Sequence, residues 1–372
     1  MSIEAGMRYF VRESHIMNCL SVAFGTGEKA TLLYENAEEN TVFDLASLTK
    51  LFTLIAVMQL VEGGKLRLSD APPRFFNLKD NTIEQILSYQ VNLVSDGRVD
   101  AAESREEALK RLFATKAQPQ TGGRFYSDMH AMVLKYAVEE AADMAFFDYI
   151  AKYILAPCDM RSTYAAVPDA MLPFTQSYDK EHRIENGRYI LREGIAIGMP
   201  HDPKAALLSP RGEDLCGHAG LFSILPDMAK LCQGILAGKL LSEESLAAIA
   251  VNRTGEGVDK QYLGYIVYVK HPNQYFSEVP VYMSHSAFGL SGFTGNHISI
   301  DPAMGLFNVF LGNRCLNRLT TLIPSDPVSF GLEPSGAGCV HWPDGETIYS
   351  SVDYVHQKDA RLHAPIQREL AL

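Results

Sequence analysis

The chain has 372 residues, 47% of them apolar and 21% charged, enough for one large or two smaller domains and too apolar for a disordered chain. Lys and Arg number 33 against 44 Asp and Glu, a net charge of −11. That argues against a nucleic-acid binder or a binder of anionic membranes, both of which need basic surface. No apolar run reaches the roughly 20 residues of a membrane span, and charges through the first fifteen positions leave no signal-peptide core. Cys19, Cys158, Cys216, Cys232, Cys315 and Cys339 form no C-x-x-C pair. They read as buried thiols of a reducing, cytoplasmic compartment.

Residues 18–34 read as a hairpin around Gly25-Thr26-Gly27. Residues 44–65 read as a buried helix: Leu51, Leu54, Ile55, Met58 and Val61 recur at steps of three and four, and Gly63-Gly64 ends the run. Residues 82–166 are expected to be mostly helical, with 105–115 and 129–155 the strongest segments and Pro157 the stop. Residues 166–215 look irregular. Residues 224–250 return to helix, with Pro226-Asp227 at one start, Gly238 at its end and Ser242 as the next cap. From 261 the stretches 262–271, 279–288, 296–302 and 306–314 are rich in β-branched and aromatic residues and predict strands. Residues 323–350 are expected to be an insertion or loop, and 352–372 a helix broken near Pro365. Strands at both ends with helices between them predict an α+β fold. A sheet subdomain of residues 1–70 with 215–372 would share one antiparallel sheet flanked by helices, and residues 71–214 would form a mostly helical lobe.

No P-loop, G-x-G-x-x-G, H-E-x-x-H or EF-hand pattern is present, so no metal or cofactor is expected. Two S-x-x-K motifs occur, Ser47 to Lys50 and Ser177 to Lys180. The first opens the apolar helix, where three residues make nearly one turn and put both side chains on one face. A serine needs a base to become a nucleophile. Burial and the positive end of a helix would both lower the pKa of Lys50 and suit it to that role. Ser177 lies in a polar, irregular stretch that offers neither. Tyr126-Ser127-Asp128 stands before the 129–155 helix, where a phenol can point into a cleft and relay protons. Gly289-Leu290-Ser291-Gly292-Phe293-Thr294-Gly295 combines small residues with a strand, so that a substrate could lie along the edge and backbone N–H groups could hold an oxyanion.

In this order the elements resemble the serine β-lactamase and penicillin-binding-protein superfamily, and most closely its class C β-lactamases and related esterases and peptidases. The segments that carry the resemblance are residues 43–50, Tyr126-Ser127-Asp128, residues 154–163, Gly217-His218-Ala219-Gly220-Leu221-Phe222-Ser223 and residues 289–295. The resemblance implies a β-lactamase-like fold and a serine hydrolase working through an acyl-enzyme on a small ester, amide or peptide. Ser47 would be acylated, Lys50 would be the base and Tyr126 would share proton transfer. The N–H groups of Ser47 and Phe293 would form the oxyanion hole. Ser291, Gly292, Asp128, His218, Ala219 and Leu290 would border the substrate. Leu290 departs from the family, which usually has Lys or His there, and Asp128 stands where many members have Asn. Both changes disfavour an anionic β-lactam or D-Ala-D-Ala terminus and favour a neutral ester or amide, or else a silent, ligand-binding relative. A structural or assembly protein is the weakest reading, and the sequence does not give the oligomeric state.

Overall fold

The computed structural model describes residues 1–121, 125–257, 260–273 and 278–372. Among the described residues the strands are β1 (Leu20–Thr26), β2 (Ala30–Glu35), β3 (Phe43–Asp44), β4 (Val91–Val94), β5 (Lys116–Pro119), β6 (Glu181–Glu185), β7 (Arg188–Arg192), β8 (Phe222–Ser223), β9 (Tyr268–Val269), β10 (Phe288–Gly292), β11 (Asn296–Asp301), β12 (Leu306–Gly312), β13 (Arg318–Ile323), β14 (Cys339–His341) and β15 (Thr347–Ser350). The largest sheet is antiparallel, in the order β2-β1-β12-β11-β10-β9. It joins the two ends of the chain, as the α+β reading requires. β11 and β12 are buried along their whole length, because helices cover one face and the terminal segments the other.

The helix Thr49–Glu62 is buried from Thr49 to Met58, as an apolar surface on all sides demands. It packs against the helix Asp128–Ala142 within the main core. The sequence places both helices, although the second stops at Asp143, which turns left-handed at φ 51°. A shorter helix, Phe146–Ile150, follows. Residues 122–124 of the expected 82–166 helical span lie outside the described residues. That span also contains the β4–β5 pair, which the sequence reading does not anticipate.

The larger departures lie in a second sheet, ordered β14-β15-β13-β6-β7. Residues 181–192, expected to be irregular and part of the helical lobe, form the β6–β7 hairpin, whose strand β6 pairs in parallel with β13. Residues 323–350 are not a bare loop, since they supply β14 and β15. Conversely, the β-rich stretch 279–287 makes turns held by Met283 N–H to Pro280 O and Ser284 N–H to Asp301. Pro280 removes a ladder donor there. The tail runs through Tyr354–Lys358, Asp359–His363 and Ala364–Glu369 with no break at Pro365. The middle segment is a wider π-type turn, which accommodates the proline ring without a normal i→i−4 bond. No helix among the described residues is long and apolar enough to cross a membrane.

Candidate active site

Ser47 is positioned by a short two-stranded ladder. β3 pairs with β8 through Phe43↔Ser223 and Asp44↔Phe222, and Leu45 N–H donates to Leu221 O at 2.8 Å. This sets the Ser47 turn beside the Gly217–Ser223 segment. The Asp44 side chain is fully buried and accepts the N–H groups of Ala46 at 2.8 Å and His201 at 2.6 Å. Ala46 takes a left-handed φ of 47°, a strained conformation for a residue with a Cβ. Its bond to Asp44 holds that bend, and the helix of Lys50 starts directly after it.

Lys50 is fully buried. Its Nζ donates to Ser47 Oγ at 2.8 Å, to Asp128 Oδ1 at 2.8 Å and to His218 O at 3.4 Å. The Tyr126 ring centroid lies 4.8 Å from the same nitrogen. Tyr126 is fixed by Gln261 Oε1, which accepts the Phe125 and Tyr126 N–H groups at 3.0 and 3.1 Å, and by stacking on Tyr268. The Tyr126 hydroxyl is buried without a hydrogen-bond partner among the described residues, yet it is close enough to favour charge on Lys50. Ser47, Lys50, Tyr126 and Asp128 therefore meet at one point. Ser177 accepts Asp179 N–H and its Lys180 is exposed, so the second S-x-x-K forms no comparable pair.

The charge state of Lys50 reverses the sequence expectation. Burial does oppose the ammonium, but the carboxylate of Asp128, and then Tyr126, outweigh burial and raise the pKa of Lys50. Asp128 responds in kind. Burial opposes its ionisation, but Lys50, His218 and Lys204 hold its pKa far below the usual carboxylate range.

The pair belongs to a closed ring. Asp128 Oδ2 meets Lys204 Nζ at 3.0 Å, Lys204 meets Asp202 Oδ2 at 3.3 Å, and Asp202 Oδ1 meets His218 Nε2 at 2.8 Å. The backbone carbonyl of His218 closes the ring on Lys50. His218 is thus a buried link in the ring, with its side chain away from the cleft surface, where the sequence reading expected it; Ala219 does line the cleft. The ligand atoms of Asp128, Asp202 and His218 lie within 4.8 Å of one another, a spacing a divalent cation can use. Lys204 already bridges the two carboxylates and would have to be displaced.

The cleft measures 730 Å³ and is bordered by Ser47, Tyr126, Asp128, Ser291, Gly292 and Phe293 among others. Leu290 is not among them. It is fully buried in the main core, since alternation along β10 turns it away from Ser291. A cation at position 290 would start among apolar groups rather than in the cleft, so Leu290 does not border the substrate as the sequence reading expects. His285, five residues upstream, is exposed and does not line the cleft either. Instead Ser291 Oγ donates to Glu278 Oε2 at 2.6 Å and lies 3.3 Å from Lys358 Nζ. Lys358 comes from the C-terminal helix and pairs with Glu278.

Gly292 lets β10 approach the Ser47 turn. A Cβ there would stand 2.9 Å from Leu45 O and 3.2 Å from Asn296 Cβ. Gly292→Ala is expected to destabilise the fold by about 1–3 kcal/mol. Thermal melts of the variant check the loss.

A further group escapes the sequence reading. Glu181 is buried and carries Arg183 at 2.9 Å, Arg192 at 3.5 Å, His201 at 2.9 Å and Thr320 at 2.5 Å. Two local signals were available: Asn186-Gly187 is a strong hairpin turn, and Asp202-Pro203 is a helix start. Burial opposes charge on His201, but Cys315 and Glu181 favour it and hold its pKa at about 10. Because that value lies above the unfolded one near 6.5, the stabilisation is full below pH 6.5 and fades as pH rises through 10. His201→Gln is therefore expected to cost about 1.5–3 kcal/mol at pH 6 and less above pH 10, where the neutral imidazole keeps only its hydrogen bond to Glu181 and its stacking on Phe293, read from chemical denaturation at several pH values.

The family model described as Beta-lactamase matches residues 13–317. A Salmonella schwarzengrund protein described as "Putative D-alanyl-D-alanine carboxypeptidase" is 29% identical over 346 residues, which covers 82% of this chain and 77% of the relative. Among solved structures, a hydrolase with promiscuous acyltransferase activity superposes with a TM-score of 0.66 at 16% identity, covering 97% of each chain. A class C beta lactamase superposes with a TM-score of 0.61 at 15% identity, covering 84% of this chain and 92% of its own.

Proposed function

The chain belongs to the beta-lactamase family, and from that membership we propose that it is a serine hydrolase that cleaves a small ester or amide through an acyl-enzyme on Ser47. The observation that carries this reading is the 2.8 Å contact between Ser47 Oγ and Lys50 Nζ, beside the Tyr126 ring and at the edge of an open cleft. In the resting state Lys50 is an ammonium and donates to the serine it serves. Catalysis starts when Lys50 has lost a proton. Ser47 Oγ then attacks the substrate carbonyl carbon, its proton passes to Lys50 Nζ, and the C–O or C–N bond to the leaving group breaks. Tyr126 hands a proton to the departing oxygen or nitrogen. The N–H groups of Ser47 and Phe293 hold the oxyanion, and water resolves the acyl-enzyme. The six free thiols, five of them buried, support a reducing compartment as its setting.

A second reading is favoured by one observation. The Asp128 carboxylate pairs with Lys50 at 2.8 Å and holds the base in its protonated, inactive form, as a silent relative that only binds a ligand in the cleft would have it. A hydrolysis screen of p-nitrophenyl esters, nitrocefin and D-amino-acid amides across pH 6–10 separates the two. Turnover that rises with pH supports the enzyme. No turnover and no fluorophosphonate labelling at any pH support the binder.

A further inference from the structure

The wall of the cleft beside Phe293 carries more positive than negative charge. Arg183 lies 5.7 Å and Arg314 4.5 Å from the Phe293 ring centroid, and His201 stacks on the same ring at 5.4 Å. With Arg192 these are four cations. Against them stand the carboxylates of Glu181 and Glu185, and behind His201 the buried side chain of Asp44, whose ionisation burial opposes. Arg314 is only 9% exposed and makes no ion pair among the described residues. Its nitrogens donate to the carbonyl oxygens of Phe293, Thr320 and Ser351. A buried guanidinium with no anionic partner is costly unless something else supplies the charge. Tyr354 borders the same cleft, feels the charge of Arg314, and has a buried hydroxyl without a hydrogen-bond partner among the described residues.

Elsewhere in the cleft the acids are already matched. Asp100 pairs with Arg98, Asp128 and Asp202 with Lys50 and Lys204, and Glu278 with Lys358. The excess on the Phe293 wall does not follow from composition, because the chain as a whole carries −11. Cations clustered in a concave, low-dielectric site focus their field on a ligand.

We propose that this wall is an anion subsite, and that the preferred substrate is an ester or amide bearing a carboxylate that docks against Arg183, Arg192 and Arg314. The proposal rests on the hydrolase reading of Ser47 and adds the substrate class. It also reverses the expectation of a neutral substrate drawn from Leu290: the positive charge missing at that position is supplied from the β6–β7 hairpin instead. Guanidinium suits the role, since its planar fork matches a carboxylate.

The test compares p-nitrophenyl hydrogen glutarate with p-nitrophenyl pentanoate, and in parallel measures glutarate binding to Ser47→Ala by calorimetry. Charge-assisted contacts of this kind discriminate by roughly tenfold to a hundredfold. The wild type is expected to favour the hemiester at least about tenfold in kcat/KM, with the preference shrinking as salt is added. Arg192→Gln and Arg183→Gln should each lower the ratio of the two rates, while Arg192→Lys retains part of it. Glutarate should bind Ser47→Ala and bind more weakly when Arg192→Gln is added. Glutarate binding without any ester turnover would uphold the subsite and refute the hydrolase reading. Turnover with equal or neutral preference, unchanged in the arginine variants, would overturn the subsite and leave the hydrolase reading standing. Absence of both turnover and glutarate binding would overturn both.

Discussion

Ser47→Ala is expected to lower ester hydrolysis by on the order of 10⁵- to 10⁶-fold, the scale of loss when a serine hydrolase is deprived of its nucleophile. The substitution removes the hydroxyl held 2.8 Å from Lys50 and leaves the oxyanion donors in place. Folding should hardly notice. Lys50 keeps Asp128 and the His218 carbonyl as acceptors, so the cost is about one neutral-acceptor hydrogen bond, 0.5–1.5 kcal/mol. Fluorophosphonate labelling and thermal melts on the same preparation check both statements. Undiminished turnover would move the nucleophile elsewhere, and Ser291 is the other serine that borders the cleft.

Asp128→Asn is expected to raise the rate near neutral pH. In the native protein the carboxylate favours the ammonium of Lys50, and burial opposes it. With the carboxylate gone, burial is left with less opposition and the amine becomes neutral at lower pH. If Lys50 is the base, the rising limb of log kcat/KM against pH should move down by about one unit or more, and each unit is tenfold in rate at a fixed pH on that limb. The same change should cost about 1.5–3 kcal/mol of stability, because Lys204 also loses a partner. The pH dependence of that cost has a definite sign. The folded-state pKa of Asp128 is depressed, so the native advantage is present above the unfolded value near 3.9 and is lost as pH falls towards the folded value. The raised pKa of Lys50 sets the alkaline limit, where the advantage fades as the amine deprotonates. A pH–rate profile identical to wild type would show that Lys50 is not the base.

The contrast between what the sequence discloses and what it hides follows the range of the forces involved. The helix after Ser47 is legible because its apolar residues recur at helical spacing, and Ser47 and Lys50 share a face because three residues are almost one turn. Tyr126 and Asp128 are legible because a polar run precedes an apolar helix. The charge on Lys50 is misjudged because the local influences, burial and the helix end, act in one direction, while what outweighs them comes jointly from Tyr126 and from the Asp128 carboxylate 78 positions away. Leu290 is misjudged for a different reason. β10 is buried except at Ser291, so period-two patterning gives no sign of which face meets the cleft. Lys358 reaches Ser291 across 67 positions, and no local pattern marks it. The helix that Asp202 caps and the β6–β7 hairpin are features that local reading had the means to find, through Asp202-Pro203 and Asn186-Gly187.

That turn carries a consequence of its own. β7 is the outermost strand of its sheet and has a neighbour on one side only. Its alignment places Arg192 directly across from Glu181 and Arg188 across from Glu185. Side chains alternate along a strand, so slippage by a single position would swing Arg192 outward and bring apolar Leu191 to the inner side. Chemical preference at one end of the pocket is therefore tied to the tightness of two residues at the far tip of the ribbon. Relatives that lengthen this loop by an odd number could change what they accept while keeping every group around the reactive serine.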